Sequence, residues 1–246
     1  MKLSVIIPVH NEKDTIAEIV RRVNAVDLDK EIIIVDDKST DGSREILKEF
    51  TNDRGIKIIL LDQNFGKGFA IRSALGHVTG DVVIIQDADL EYNPNDFKKI
   101  IEPFQENHIH VVYGSRFFHL QTFVYLKEWL ASKRRQEPCN VGHVYMANFL
   151  CIKLLNWMVF LLYGQKITDE ATCYKAFRRE VIHAINLNCM RFEFCPEVTA
   201  KICKAGFKIV EVPISYEPRT TEHGKKIGWK DGVAAIATLI KYRFTD

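Results

Sequence analysis

The sequence places two carboxylates one residue apart, directly after a short apolar run. Asp87 and Asp89 follow residues 82–85, which are all valine or isoleucine, and the intervening Gln86. Two carboxylates at this spacing can approach a divalent cation and a ribose together. In proteins Mg²⁺ typically binds one or two carboxylates, several waters and substrate phosphates. The motif therefore predicts a site for a nucleoside diphosphate and its metal.

Two further polar clusters follow apolar runs earlier in the chain. His10, Asn11 and Glu12 follow the first run, and Asp36 and Asp37 end the second. Ligands of an open parallel sheet bind outside the carboxyl ends of its strands, so all three clusters are expected at one edge. Carboxylates gathered there repel one another unless a cation or hydrogen-bond donors offset them. Any one of these acids is explained equally well as a helix or turn cap, but three clusters at three strand ends favour a site.

Runs rich in valine and isoleucine alternate with helical patterns along the chain. Nearly continuous apolar runs are typical of strands buried on both faces of a parallel sheet. The predicted strands are residues 3–8, 31–36, 56–61, 81–86, 110–115, 174–177 and 208–213. The predicted helices are residues 12–24, 43–51, 67–77, 94–105, 145–163 and 196–205. The pattern predicts an α/β fold with a doubly wound, mostly parallel central sheet flanked by helices.

Length and composition narrow the class of protein. The chain has 246 residues, and its 34 Lys+Arg against 32 Asp+Glu give a net charge of +2, which does not indicate a nucleic-acid partner. We find no linker or repeat and expect one domain over residues 1–246. The N-terminal apolar stretch is shorter than that of a secretion signal. The six cysteines have no CxxC spacing, so we expect reduced thiols in the cytoplasm.

The glycine pattern excludes two common nucleotide-binding classes. A dinucleotide site needs G-x-G-x-x-G directly after the first strand, where this chain has His10, Asn11 and Glu12. Its Gly66-Lys67-Gly68 follows the third strand instead, and no G-x-x-x-x-G-K-[ST] motif is present. Dehydrogenase and P-loop functions are therefore not expected.

Several motifs together resemble the family 2 glycosyltransferases of GT-A fold. They are PVHNE at 8–12, VDDKSTDG at 35–42, NFGKG at 64–68 and QDAD at 86–89. VYGSR at 112–116 and VPISY at 212–216 make the chain similar to the polyprenol-phosphate glycosyltransferases, among them the dolichol-phosphate mannose synthases. The resemblance implies a nucleotide-sugar-binding half at 1–115, an acceptor-side half at 116–246, and a divalent metal cofactor, Mg²⁺ or Mn²⁺.

The resemblance implies roles for the acids and their neighbours. Asp37 would accept a hydrogen bond from the base, Asp89 would hold the metal, and Glu91 would complete the metal site. His10 occupies a position that is often tyrosine in the family. The nucleotide-binding residues implied in this way are Pro8, His10, Glu12, Asp37, Lys67 and Asp87.

The resemblance also implies roles for basic residues. Arg116, after the fifth strand, would bind the acceptor phosphate, because the planar guanidinium pairs with two phosphate oxygens at once. A second phosphate-binding arginine would be either Arg134 or Arg135. Arg219 and, less directly, Lys226 would neutralise the donor diphosphate as it leaves.

The implied reaction moves a sugar from a GDP- or UDP-sugar to a polyprenyl phosphate with inversion at the anomeric carbon. A lipid phosphate is already an anion, so the reaction needs no strong general base. One alternative is transfer to a hydroxyl of a polysaccharide, glycolipid or protein, for which Asp169 or Glu170 would be the base. A remote alternative is a catalytically inactive binding module.

A membrane-facing surface is expected beside the acceptor site. The helix predicted at 145–163 is mostly apolar but is interrupted by Asn148, Lys153 and Asn156, and it would lie in the bilayer interface or pack on the sheet. Aromatic residues at 117–118, 123–125 and 129 stand near the basic run 133–135. These features predict peripheral association with the cytoplasmic face of a membrane.

Overall fold

Seven strands form one sheet in the computed structural model, which describes residues 1–118, 146–219 and 228–245. The strands are β1 Leu3–Val9, β2 Lys30–Asp36, β3 Ile56–Leu60, β4 Val82–Ile85, β5 Val111–Ser115, β6 Lys175–Arg178 and β7 Ile209–Pro213. Each lies within one residue of its predicted bounds. The strand order is β3-β2-β1-β4-β6-β5-β7. Strand β6 is antiparallel to β4 and β5, whereas the other neighbouring pairs are parallel, so the predicted fold class is confirmed.

The centre of the sheet is apolar on both faces. Every residue of β1 and β4 is buried, and Val5 of β1 pairs with Ile32 of β2 on one side and Ile84 of β4 on the other. Branched side chains pack well on such a doubly covered surface. The core therefore fixes the positions at which β1, β2 and β4 end.

Helices cover the sheet. They are α1 Ile16–Ala25, α2 Ser43–Leu47, α3 Lys67–Leu75, α4 Phe97–Ile101, α5 Met146–Tyr163, α6 Arg179–Ala184, α7 Phe194–Lys204 and α8 Trp229–Phe244. The helix predicted at 94–105 is instead α4 between two 3₁₀ turns. The second turn begins at Glu102, and the missing N–H of Pro103, its next residue, interrupts the α-helical pattern. The sequence pattern did not predict α6 or α8.

Helix α5 packs with the polar side chain of Asn156 inward. Asn156 is 7% exposed; its Nδ2 donates to the Thr168 carbonyl at 2.6 Å, and its Oδ1 accepts from the Glu170 N–H at 2.8 Å. The outward face is apolar, with Trp157 58% exposed. The exposed residues of this face, which we call the outer stripe, are Leu150, Leu154, Trp157, Phe160 and Leu161.

No helix among the described residues is long and apolar enough to cross a bilayer. Five cysteines fall within the described ranges, and each is a free thiol, as expected. Burial raises the pKa of Cys173 and Cys195, which keeps these thiols protonated.

Candidate active site

The three acidic clusters lie in sharp turns at the carboxyl ends of β1, β2 and β4. Asn11, Lys38 and Leu90 have φ angles of 54°, 56° and 64°. Within the described ranges they are the only non-glycine residues with positive φ. Such backbone conformations are uncommon and cluster at functional sites. This agrees with the prediction that these strand ends form one site.

Arg219 lies between two of the predicted site acids. Its Nη1 donates to Glu12 Oε2 at 3.0 Å, and its Nη2 donates to Glu12 Oε1 at 3.2 Å and to Asp89 Oδ2 at 3.0 Å. Its Nε is buried and has no hydrogen-bond partner among the described residues. A buried guanidinium with a spare donor is suited to an added anionic oxygen.

Glu91 holds the segment that carries Arg219. Its Oε1 accepts from the Arg219 backbone N–H at 2.8 Å, and its Oε2 accepts from the Tyr216 hydroxyl at 2.9 Å. The Glu91 carbonyl accepts from the Glu217 N–H at 2.9 Å. Both carboxylate oxygens of Glu91 thus have protein partners, and its predicted place in the metal site stays a prediction.

The environment of Asp89 favours its protonated form. Burial, followed by the charges of Asp87 and Glu91, raises its pKa to about 7, while Arg219 acts in the opposite direction. Its Oδ1 accepts from the Glu91 N–H at 3.1 Å. A bound cation would offset the repulsion among these carboxylates.

Lys67 pairs with the first aspartate of the motif. Its Nζ lies 2.5 Å from Asp87 Oδ1. Burial disfavours the charged amine, but the charge and hydrogen bond of Asp87 and further neighbouring groups together raise the pKa of Lys67. The flanking glycines allow this position: a Cβ on Gly66 would lie 2.5 Å from the Met190 carbonyl oxygen, and one on Gly68 would lie 2.9 Å from that of Arg191.

Asp37 and His10 form a wall at the same edge of the sheet. The carboxylate of Asp37 accepts the N–H groups of Phe65 and Gly66 at 2.8 and 2.6 Å, which fixes the loop before Lys67. Nδ1 of His10 lies 2.8 Å from the Asp37 carbonyl oxygen and Nε2 lies 3.0 Å from Asn64 Nδ2. Pro8 is buried within β1. Contacts thus join His10, Asp37, Lys67 and Asp87 at one edge of the sheet, and their part in nucleotide binding stays a prediction.

The acids suit a hard divalent cation. Within the described residues no group of three or more His, Cys, Asp or Glu side chains has the arrangement of a metal site. However, Mg²⁺ bound with a nucleotide takes only one or two carboxylates from a protein. Asp89 and its neighbour Asp87 are oxygen donors of this kind, and Arg219 now occupies the position of a cation beside Asp89. The donor set therefore fits the predicted metal.

Arg116 is paired with an acid that the sequence did not connect to it. Its Nε and Nη2 donate to Asp169 Oδ2 and Oδ1, each at 2.7 Å, and its backbone N–H donates to Oδ2 at 3.1 Å. The Arg116 side chain is 9% exposed and that of Asp169 is fully buried. Arg116 is thus held rigidly at the end of β5.

Tyr216 connects the two arginines. Its hydroxyl donates to Glu91, which anchors Arg219, and its ring centroid lies 4.9 Å from the Arg116 guanidinium carbon. Tyr216 belongs to the VPISY motif, but this connecting role was not predicted from the motif. The acids around Arg219 and the arginine at the end of β5 are therefore joined by one group of contacts.

Asp169 and Glu170, the two candidates for a general base, are buried. Asp169 is bound by Arg116, and Glu170 Oε1 lies 3.3 Å from the Thr199 hydroxyl of α7. Burial raises the pKa of Glu170. Neither carboxylate is open to an acceptor hydroxyl. Arg134, Arg135, Lys226 and the aromatic residues at 123–125 and 129 lie outside the described residues.

Comparison with known proteins identifies the family. Residues 4–185 match the model for "Glycosyl transferase family 2". The chain is 28% identical over 225 residues to the undecaprenyl-phosphate 4-deoxy-4-formamido-L-arabinose transferase of Klebsiella pneumoniae (strain 342), covering 89% of this chain and 60% of that protein. It is 28% identical over 233 residues to the dolichol-phosphate mannosyltransferase of Pyrococcus furiosus, covering 93% and 60%. The chain thus spans about 60% of the length of these relatives.

Solved structures agree on the fold. Glucosyl-3-phosphoglycerate synthase from Mycobacterium tuberculosis, in complex with Mn²⁺, UDP and phosphoglyceric acid, superposes with a TM-score of 0.64 at 17% identity, covering 100% of this chain and 79% of that chain. The same enzyme with Mg²⁺ and UDP gives a TM-score of 0.62. With the fold and the family model in agreement, the chain belongs to glycosyl transferase family 2 and has its GT-A fold.

Proposed function

We propose that this chain transfers a sugar from a nucleotide-diphosphate sugar to a polyprenyl phosphate. The observation that carries the proposal is the pairing of two arginines across Tyr216. Arg219 lies among the donor-side acids, and Arg116 lies on the acceptor side at the end of β5. Two fixed cations in one crevice suit two phosphorylated substrates. The names of the two relatives, which both contain a polyprenyl-phosphate acceptor, support this choice.

The donor would bind along the ends of β1, β2 and β4. Asp37, His10 and Pro8 would contact the base and ribose, with Glu12 and Asp87 beside them. Lys67 would keep Asp87 charged and oriented, since the two form an ion pair at 2.5 Å. A GDP- and a UDP-sugar are both compatible with this wall.

The leaving diphosphate would be stabilised by Arg219. Its unpaired Nε can donate to a phosphate oxygen without breaking an existing hydrogen bond. A divalent cation, Mg²⁺ or Mn²⁺, when held by Asp89 with Glu91 or Asp87 nearby, supplies further positive charge at the diphosphate. Lys226 is proposed to add to this charge.

The acceptor phosphate would be oriented by Arg116, together with Arg134 or Arg135. Its oxygen anion attacks the anomeric carbon while the bond from that carbon to the diphosphate oxygen breaks, and the electron pair leaves with the nucleoside diphosphate. The anomeric configuration is inverted. No proton has to be removed, which agrees with the burial of Asp169 and Glu170. That burial disfavours a hydroxyl acceptor.

A membrane surface is the proposed source of the acceptor. The outer stripe of α5 and the exposed Trp229, Val233 and Phe244 of α8 are apolar, and Lys230, Lys241 and Arg243 are exposed on the same helix. Apolar side chains flanked by basic residues bind anionic membranes. We propose peripheral binding at the cytoplasmic face.

The proposal is tested by transfer of labelled sugar from GDP- and UDP-sugars to polyprenyl phosphate, with Mg²⁺ or Mn²⁺ added. Asp89→Asn is expected to reduce transfer by about two orders of magnitude or more, because it removes the proposed metal ligand and with it the positive charge that stabilises the leaving diphosphate. Asp53→Asn, at an exposed acid after α2, is the matched control and keeps full activity. Undiminished transfer by Asp89→Asn would refute the assigned site.

A further inference from the structure

Helix α5 carries a cation on the aromatic pair that also packs against Arg116. The half-buried Lys153 has its Nζ 5.2 Å from the centroid of the Phe149 ring. Phe149 packs edge-to-face on Phe117 at 5.5 Å, and the Phe117 centroid lies 5.4 Å from the Arg116 guanidinium carbon. Lys153 and Arg116 therefore flank the same pair of aromatic rings.

The acids near Lys153 are engaged by other donors. Both oxygens of Asp169 accept from Arg116, and both oxygens of Glu211 accept from the Thr168 N–H at 2.8 and 2.9 Å. No ion pair within the described ranges includes Lys153. Burial lowers the pKa of Lys153, while the charges of Asp169 and Glu211 oppose that shift. A half-buried ammonium without a carboxylate partner is suited to an anionic ligand.

The negative charge of the acceptor phosphate favours a further cationic contact. A phosphate monoester carries about −1.5 to −2 charges at neutral pH. The charge of Arg116 is already offset by Asp169, which contacts it with two hydrogen bonds. In addition to Arg134 or Arg135, a cation on α5 would help to balance an arriving phosphate.

The same helix offers a surface for an apolar chain. Leu150, Leu154 and Trp157, on the turns before and after Lys153, are 53%, 44% and 58% exposed. Their spacing of four and then three residues places them on one face of the helix. A cation at the inner edge of an exposed apolar face matches a ligand with a charged head and an apolar tail.

We propose that Lys153 is a further cationic contact for the acceptor phosphate, in addition to Arg116, and that the apolar chain of the acceptor lies along the outer stripe of α5 at Leu150, Leu154 and Trp157. This rests on the proposed function, because it assigns the acceptor of that same site. It adds a phosphate ligand on α5 and selects a prenyl phosphate over a phosphate without an apolar chain.

The test measures binding of geranyl phosphate, a short water-soluble prenyl phosphate, to the full chain by calorimetry. Lys153→Met keeps the apolar stem and is expected to weaken binding by about tenfold to a hundredfold, the range for a hydrogen bond to a charged group. Lys153→Arg keeps the charge and stays within about threefold. Lys166→Met is the matched control, because Lys166 is exposed and its Nζ also lies over a ring of α5, 5.7 Å from the Phe160 centroid.

Further ligands separate the contribution of the phosphate head to binding from that of the apolar chain. Leu154→Ser is expected to weaken geranyl phosphate and leave inorganic phosphate unchanged, whereas Lys153→Met weakens both. Equal affinities of Lys153→Met and wild type, an equal loss in Lys166→Met, or no binding of geranyl phosphate by the wild type would each overturn the inference. Lys153→Gln replaces Lys153→Met if thermal melting shows that the latter does not fold. Should Lys153→Met lose binding while the wild type transfers no sugar, the inference stands and the proposed function fails.

Discussion

The buried ion pair between Arg116 and Asp169 allows its structural role to be separated from its proposed catalytic role. Both side chains are almost entirely removed from solvent, and two hydrogen bonds of 2.7 Å join them. Removing one member of such a pair leaves an uncompensated buried charge and typically costs about 3–5 kcal/mol. We therefore expect Arg116→Met and Asp169→Asn each to lower the free energy of unfolding by about that amount.

The double variant is expected to behave differently. With both charges removed, no uncompensated charge remains, and asparagine still offers an oxygen to the Arg116 backbone N–H that now donates at 3.1 Å. Neutral replacements of buried pairs are often close to neutral in stability. The double variant should therefore recover most of the lost stability but none of the transfer activity, because its acceptor arginine is still missing.

Urea unfolding followed by circular dichroism, together with transfer assays at a temperature where every variant is folded, measures both quantities. A stability loss below about 1 kcal/mol in the single variants would refute the argument from burial. Recovery of transfer in the double variant would refute the proposed contact between Arg116 and the acceptor phosphate.

Three further predictions concern the acid cluster, the start of β2 and the outer stripe. Arg219→Gln should tighten binding of Mn²⁺ alone by about tenfold, since it uncovers Asp89 Oδ2; weaker binding by calorimetry would contradict this. Glu31 has its pKa lowered to about 2 despite burial, by hydrogen bonds from Ser4, Thr79 and Lys2. Its contribution of about 3 kcal/mol to the free energy of unfolding is present above pH 4.5 and lost as the pH falls toward 2. Glu31→Gln should therefore reduce the fall in the free energy of unfolding between pH 4.5 and 2. An unchanged fall would argue against the lowered pKa of Glu31. Trp157→Ser should weaken binding to anionic vesicles by about tenfold or more in flotation assays while changing stability by less than about 0.5 kcal/mol; a large stability loss would mean that Trp157 packs within the protein.

The sheet was predictable because its central strands are buried on both faces. A strand such as Val82–Ile85 has only apolar residues, so its position follows directly from the sequence. The convergence of the three acidic clusters followed from the parallel arrangement alone. Helix α8 was missed because its small and polar residues give a weak apolar pattern.

The partners within the site were not predictable from local pattern. Arg116 and Asp169 are 53 residues apart in the chain, and Arg219 and Glu12 are 207 apart. Spacing rules act over one or two helical turns and carry no information about such pairs. The orientation of α5 also escaped prediction, because Asn156 is inward and satisfied by backbone groups, which a helical projection does not show.

The proposed reaction is tested most directly by offering the full chain a choice of acceptor. Polyprenyl phosphate and the corresponding polyprenol are supplied together with each nucleotide sugar and Mg²⁺ or Mn²⁺, and the products are separated and analysed by NMR. We expect sugar only on the phosphate, with inverted anomeric configuration. Sugar on the polyprenol hydroxyl, or a retained configuration, would contradict the proposed mechanism.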